Sequence, residues 1–442
     1  PSDVRGTLLN MSLLNLGSNN IFLREAAYNL LAAISSNFNF FVRSEIFEAK
    51  GMHIPRNSSH FVTRVSEQLA RSHKELTLEF LLEALRGMKK GDTYTRLMCM
   101  NYIAPWIPNL ALFCHNTVCQ DSENKVAKAE EVIKSLISVT IENPVAAPII
   151  LQKVWTVVGK VTDLLSIAIE SIISFVSMEK VDSNMEASSL QLLQDMTITI
   201  ATKHARLVAG KLVARAVRLL RQVLTLDPKW PEICLILKLL LPLSFDNLIC
   251  VQEYLPDIFY VITLVFGNGD QEIRSMVHEM LVNMVHSLYT SLFHDNADGE
   301  EGDWMQRIPQ LLAEIDQLNF RFYFGIGGKV VPGAQQAVVR TSTKEGKGSK
   351  RTSLVHVEAV GTALLEVMNA SSVNGDAMGT RAHARLLTLF AMTAFSPNIA
   401  LQPRAMVTLG ILCKSPKVVT EDLFAHVLTE LQKALRKPDS NE

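Results

Sequence analysis

The chain has 442 residues, more than one compact core usually holds, so it forms either several domains or a solenoid whose core grows with length. Lys and Arg number 43 against 44 Asp and Glu, and the net charge of −1 excludes a general attraction to nucleic acid or to anionic membrane. Hydrophobic residues make up 48%, enough apolar surface to fold, and the six cysteines (Cys99, Cys114, Cys119, Cys234, Cys250, Cys413) are scattered without a framework. They read as reduced, buried thiols of a cytosolic or nuclear protein.

The chain opens at Pro1 inside periodic sequence, so a fragment of a larger protein is expected. Val4, Leu8, Leu9, Met11 and Leu16 sit at three- and four-residue spacings, and so do Ile21, Ala26, Leu30, Leu31 and Ile34. Between the two runs, Gly17 to Asn20 supplies a helix stop and an N-cap. The pattern continues and predicts helices over 41–50, 58–72, 75–87, 93–115, 124–141, 148–159, 161–178, 185–201 and 203–221. Further helices are predicted over 230–243, 247–266, 271–293, 304–322, 354–370, 377–395, 400–413 and 417–437.

Pro105 and Pro108 must kink or split their helix, because each removes an amide donor. Asn143-Pro144 and Asp227-Pro228 predict turns, and Gly267 to Asp270 ends one helix and caps the next. Leu235 to Leu243 is apolar but short and interrupted by Lys238 and Pro242, so it reads as a buried helix, not a membrane span. The one weak β-type segment, Arg321 to Val331, has glycines that suit an irregular connector.

Helices of about fifteen residues joined by short turns over the whole length predict an all-α fold, an α-solenoid of HEAT/armadillo-like repeats running as one continuous unit over 1–442. Three second helices share a shape: Arg24, Arg274 and Arg404 each precede an apolar run and are expected to be structural repeat arginines that bond nearby carbonyls or an Asp. The four tryptophans, Trp106, Trp155, Trp230 and Trp304, are expected to fill helix breaks and gaps between layers. Thr341 to Ser353 has no apolar residue and reads as a disordered basic linker. Lys344, Lys347, Lys350 and Arg351 make it weakly attractive to anionic lipid, and Ser349, Thr352 and Ser353 are candidate phosphorylation sites.

Reactive motifs fail on spacing. Cys114, His115 and Cys119 lack the second pair that zinc needs. The acidic stretch 295–303 has Ala297 and Glu300 where a calcium loop needs an oxygen ligand and Gly. Gly325 to Gly328 and Gly346 to Ser349 lack the remaining glycines and the strand of a nucleotide loop. His278 and His286, eight residues apart, lie about 12 Å apart along a helix, too far to ligate one ion alone. No nucleophile motif is present, so no catalytic residue, metal or cofactor is expected.

The wording of several segments is similar to the neurofibromin family of Ras GTPase-activating proteins, in the region after the lipid-binding Sec14-PH module. The segments are 3–40, 76–85, 102–114, 154–165, 254–265, 322–328, 361–368 and 396–412, collinear over essentially the whole chain. The resemblance fits a fungal or otherwise distant member. Phe22-Leu23-Arg24 also opens the signature of the catalytic helix in Ras regulators, but Glu25-Ala26-Ala27 follows and the Pro-Ala pair is missing. The resemblance therefore implies a non-catalytic scaffold, with the arginine finger and lipid pocket elsewhere in the parent protein. It implies self-association as a homodimer and contact with the parent's catalytic and Sec14-PH modules. It implies Ras contact only indirectly, a cytoplasmic location, and membrane association only peripherally through the parent. A stand-alone solenoid that grips a protein or peptide is the other reading, and its repeating stripe of exposed Asn, Trp or acidic residues is not found.

Overall fold

The computed structural model describes residues 3–38, 58–114, 122–178, 187–222, 230–245, 251–266, 271–295, 304–324, 326, 354–371, 377–395 and 401–414, with 425, 428, 429, 431 and 432. These residues are α-helical with 3₁₀ and π segments, and no strand occurs among them. The chain forms two compact units, Pro1–Val208 and Ala209–Glu442. The all-α helical-repeat fold is the one the periodicity implies.

In the first unit α1 (Asp3–Leu16) packs on α2 (Ile21–Asn37). Asn20 caps α2 as expected, its side chain accepting from the Phe22 amide at 3.0 Å. The next helices are α3 (Ser58–Ser72), α4 (Thr77–Lys90), α5 (Thr93–Ile103) and α6 (Ser122–Ile141). Each contacts a neighbour one or two elements away, α3 on α5 and α4 on α6, as stacked helical pairs do. A 3₁₀ run, Ala104–Phe113, replaces the second half of the helix predicted over 93–115, because Pro105 and Pro108 cannot donate.

The predicted helix 148–159 divides into α7 (Ala147–Ile150), a π segment (Leu151–Trp155) and α8 (Thr156–Val158). After α9 (Thr162–Met178), α10 (Ala187–Gln222) joins the two predicted helices into one element, broken at His204 with φ −138° and ψ 45°. Two glycines permit close backbone approach. A Cβ on Gly6 would lie 2.9 Å from the Glu79 carbonyl of α4, and one on Gly159 would lie 2.8 Å from Ile200 Cα of α10.

The second unit holds α11 (Trp230–Phe245), α12 (Val251–Val265), α13 (Gln271–Asp295), α14 (Trp304–Asp316) and α15 (Leu318–Tyr323). It continues with α16 (Leu354–Ser371), α17 (Ala377–Ala394) and α18 (Gln402–Cys413). α13 packs on α11, α12 and α14, and α12 packs on α17. No helix of the described residues is long and apolar enough to cross a membrane, and α11 carries the LILKLLLPL stretch as a buried helix that continues through Pro242.

Several expectations need correction. Residues 321–323, the start of the β-type candidate, are the end of helix α15, and the helix predicted over 304–322 breaks at Gln317. The buried stripe of α2 is Ala27, Leu31, Ile34 and Ser35, whereas Ile21 and Ala26 are exposed and Leu30 is half-buried. In α1, Leu9, Leu13 and Leu16 are the core, while Val4 and Met11 are about half exposed. One-residue errors of this kind arise because a step of about 100° puts i+3 and i+4 on either side of the true face. The predicted helix 41–50, the turn at Asp227, the stretch 267–270, the acidic loop past Asp295 and most of 417–437 lie outside the described residues.

Candidate functional site

The last four carbonyls of any helix lack an intrahelical donor, and burying them unpaired is costly. In this chain side chains from other segments reach those carbonyls at one helix end after another. The Asn109 amide donates to Ala70 O at the end of α3 (2.8 Å). Arg96 Nε donates to Met88 O at the end of α4 (3.0 Å), and its Nη1 also bonds Asn143 Oδ1. Ser66 Oγ donates to Tyr102 O at the end of α5 (2.5 Å).

That last bond belongs to a buried network. Trp106 Nε1 donates to Ser66 Oγ at 2.8 Å, and Tyr102 OH donates to Asn10 Oδ1 at 2.9 Å. The Cys99 thiol lies 2.8 Å from Tyr102 OH, and burial pushes its pKa up to about 11. Phe80 packs against the Trp106 ring at 4.7 Å. Trp155 Nε1 donates to Thr140 Oγ1 at 3.0 Å, so both tryptophans fill the π or 3₁₀ breaks and satisfy their indole donors.

In the second unit Arg404, at the start of α18, is buried. Its Nη1 donates to Phe266 O (2.5 Å), Leu264 O (3.4 Å) and Thr263 O (3.5 Å), the carbonyls at the end of α12. The guanidinium also lies 5.0 Å from the Phe266 ring centroid. Burial lowers its pKa to about 10, which leaves it charged at neutral pH. A cation at a helix C-terminus also meets the negative end of the macrodipole.

Phe266 touches Phe324 (5.5 Å), and Phe324 meets the His278 ring edge-on (5.2 Å). His278 Nε2 donates to Ile315 O at the end of α14 (3.0 Å). Ser287 Oγ donates to Ser244 O at the end of α11 (3.0 Å), and Asn283 donates to Ser244 Oγ (3.2 Å). Asp257 of α12 and Arg385 of α17 form a two-pronged pair at 2.9 and 3.3 Å.

The three arginines singled out by sequence are not equivalent. Arg24 Nη1 donates to Ser18 O (2.7 Å) and Asn19 O (3.2 Å), clasping its own turn. Arg404 reaches back to a helix end 138 to 141 residues earlier. Arg274 is half-buried in the first turn of α13 and is engaged by neighbouring groups. Of the catalytic-like tripeptide, Phe22 and Leu23 are exposed, and Arg24 is turned onto carbonyls. Replacing Arg24 with Ala is expected to cost about 1–2 kcal/mol, measured as a shift in urea midpoint.

Residues Lys344, Lys347, Ser349, Lys350, Arg351, Thr352 and Ser353 lie outside the described residues, as do His115, Cys119 and both glycine-rich loops except Ile326. Cys114 donates its thiol to Leu110 O at 3.1 Å, and burial, with Asp163 nearby, raises its pKa to about 11. Among the described residues no three His, Cys, Asp or Glu side chains converge on a point that would hold a metal ion. An open depression of about 340 Å³ has Lys89, Lys134, Ser138 and Phe175 among its lining residues. Two of its polar groups are engaged locally: Ser138 donates to Glu142 at 2.6 Å, and Lys134 lies 3.6 Å from Glu130.

Burial holds His278 below its ordinary value of 6.5, outweighing the Ile315 bond and the nearby Asp316 and Glu279, with Arg321 adding to the depression. His356 is lowered by burial too. The unfolded chain therefore binds protons that the folded chain resists, so stability falls as pH drops through the ordinary histidine range. Denaturation midpoints between pH 7.5 and 5.5 should decline, and His278→Gln, which keeps a donor and cannot titrate, should flatten the decline.

No protein-family model matches the chain. Two yeast proteins, both from Saccharomyces cerevisiae, do match. The chain is 24% identical to Inhibitory regulator protein IRA2 over 445 residues, 98% of this chain and 13% of that protein. It is 24% identical to Inhibitory regulator protein IRA1 over 284 residues, 62% of this chain and 9% of that protein. The chain thus spans a small part of the length of these relatives.

Proposed function

We propose that the chain, 24% identical to the two yeast inhibitory regulators, is a distant member of the neurofibromin family and a non-catalytic helical-repeat scaffold of a Ras GTPase-activating protein. It holds the catalytic and lipid-binding modules of the parent in position and contributes to self-association. The observation that carries this reading is the match itself, which runs across 98% of the chain yet occupies 13% of the longer relative. The geometry supports it. The polar side chains traced above join helix end to helix and do not surround a cavity, which suits a segment that acts by stiffness.

The test of self-association is solution mass by light scattering after gel filtration, over a range of concentrations. A dimer that forms with concentration is expected. A mass equal to the 49.1 kDa monomer at every concentration would remove self-association from this segment.

A further inference from the structure

α2 packs on α1 and buries Ala27, Leu31, Ile34 and Ser35. On its other side Phe22, Ala26, Asn29 and Ala33 follow i, i+4, i+7 and i+11, and all four are exposed. Phe22 stands 78% exposed, and Ile21 and Leu23 beside it are 56% and 46% exposed. A row of apolar and small side chains at this spacing is the pattern of a seam between helices, not of a solvated face. The stripe holds no charge. Of the 17 residues of α2 only Arg24 and Glu25 are charged, and Arg24 is turned onto the carbonyls of Ser18 and Asn19.

We propose that this stripe is a contact between two copies of the chain, paired antiparallel about a twofold axis that passes between Ala27 and Tyr28. The inference rests on the self-association proposed above and names its surface. The stripe fits a copy of itself. The axis sets Phe22 of one copy opposite Ala33 of the other, large against small, and Ala26 opposite Asn29. Ala26 and Ala33 carry little bulk, so the two helices can close to about 8–10 Å. Asn29, the one polar member, lies beside the axis, where its amide can meet its counterpart and fix the register. Glu25 falls opposite Leu30, so like charges do not face each other, and a net charge of −1 gives the two copies little long-range repulsion. An anionic membrane is the poorer fit, because the single basic residue of α2 is already held by its own turn. One pair of helices about 25 Å long makes a contact at the low end of specific interfaces, below about 1,200 Å², so the dimer is reversible.

The test is the dissociation constant of the dimer, from sedimentation equilibrium of the 442-residue chain and its variants. Phe22→Glu and Ala33→Arg each place an unpaired charge in the seam, and each should raise that constant at least about tenfold. Both sites are exposed in the single chain, and an unchanged circular dichroism melt shows that the variants fold. With both changes in one chain most of the affinity should return, because the axis brings the introduced carboxylate of one copy against the introduced guanidinium of the other. Loss in the single variants with recovery in the double one supports the contact and its register. Loss without recovery overturns the antiparallel pairing. A dimer that neither single variant weakens overturns this surface and leaves self-association to another part of the chain. An unsubstituted chain that stays monomeric at every concentration overturns the contact and the self-association reading together.

Discussion

Replacing Arg404 with Met should destabilise the second unit by about 2–4 kcal/mol, because bonds from a charged donor are worth roughly 1.5–3 kcal/mol and their loss strands buried acceptors. Methionine fills similar space without charge, so little of the loss comes from a cavity. Three carbonyls at the end of α12 lose their donor together, and the Phe266 ring loses its cation. Arg404→Lys should be intermediate, since an ammonium keeps the charge but not the planar fork. Hydrogen exchange resolved to α12 and α18 is the readout, with the urea midpoint alongside it. Faster exchange confined to those two helices supports the clamp. Exchange unchanged in Arg404→Met would show that water satisfies the carbonyls as well.

Trp106→Ala is the second large effect, expected to cost about 3–5 kcal/mol as other buried tryptophan truncations do. The indole is fully buried, packs on Phe80 and ties Ser66 to the 3₁₀ run that Pro105 and Pro108 impose. Trp106→Phe separates the two contributions: it keeps most of the ring and removes the donor, and should cost about 1 kcal/mol for the bond plus a smaller packing loss. If both variants lose the same stability, packing is secondary and the hydrogen bond dominates.

The helices were legible because apolar residues recur at their spacing and because Asn20, Pro105 and Pro108 carry local chemistry. Which residue of each pair faces the core was less legible. Ile21 and Leu30 satisfy the same spacing as Ala27 and Leu31, and only packing against α1 decides between them. The end-capping donors were missed almost entirely. Ser66, Arg96, Asn109, His278 and Ser287 are polar residues inside apolar helical faces, and that displacement is the one signal a sequence offers. Their acceptors lie from 8 to 43 residues away, and for Arg404 up to 141, so no local pattern names them. The acceptors of Arg24 are five and six residues away, near enough for a local pattern to point to them.

The most direct test of the scaffold account is single-turnover GTP hydrolysis by Ras with the chain added at increasing concentration. The account predicts the intrinsic rate throughout, because Arg24 is committed to the carbonyls of Ser18 and Asn19. Acceleration that disappears in Arg24→Ala, in a variant whose fold is intact, would contradict it and make α2 a catalytic helix.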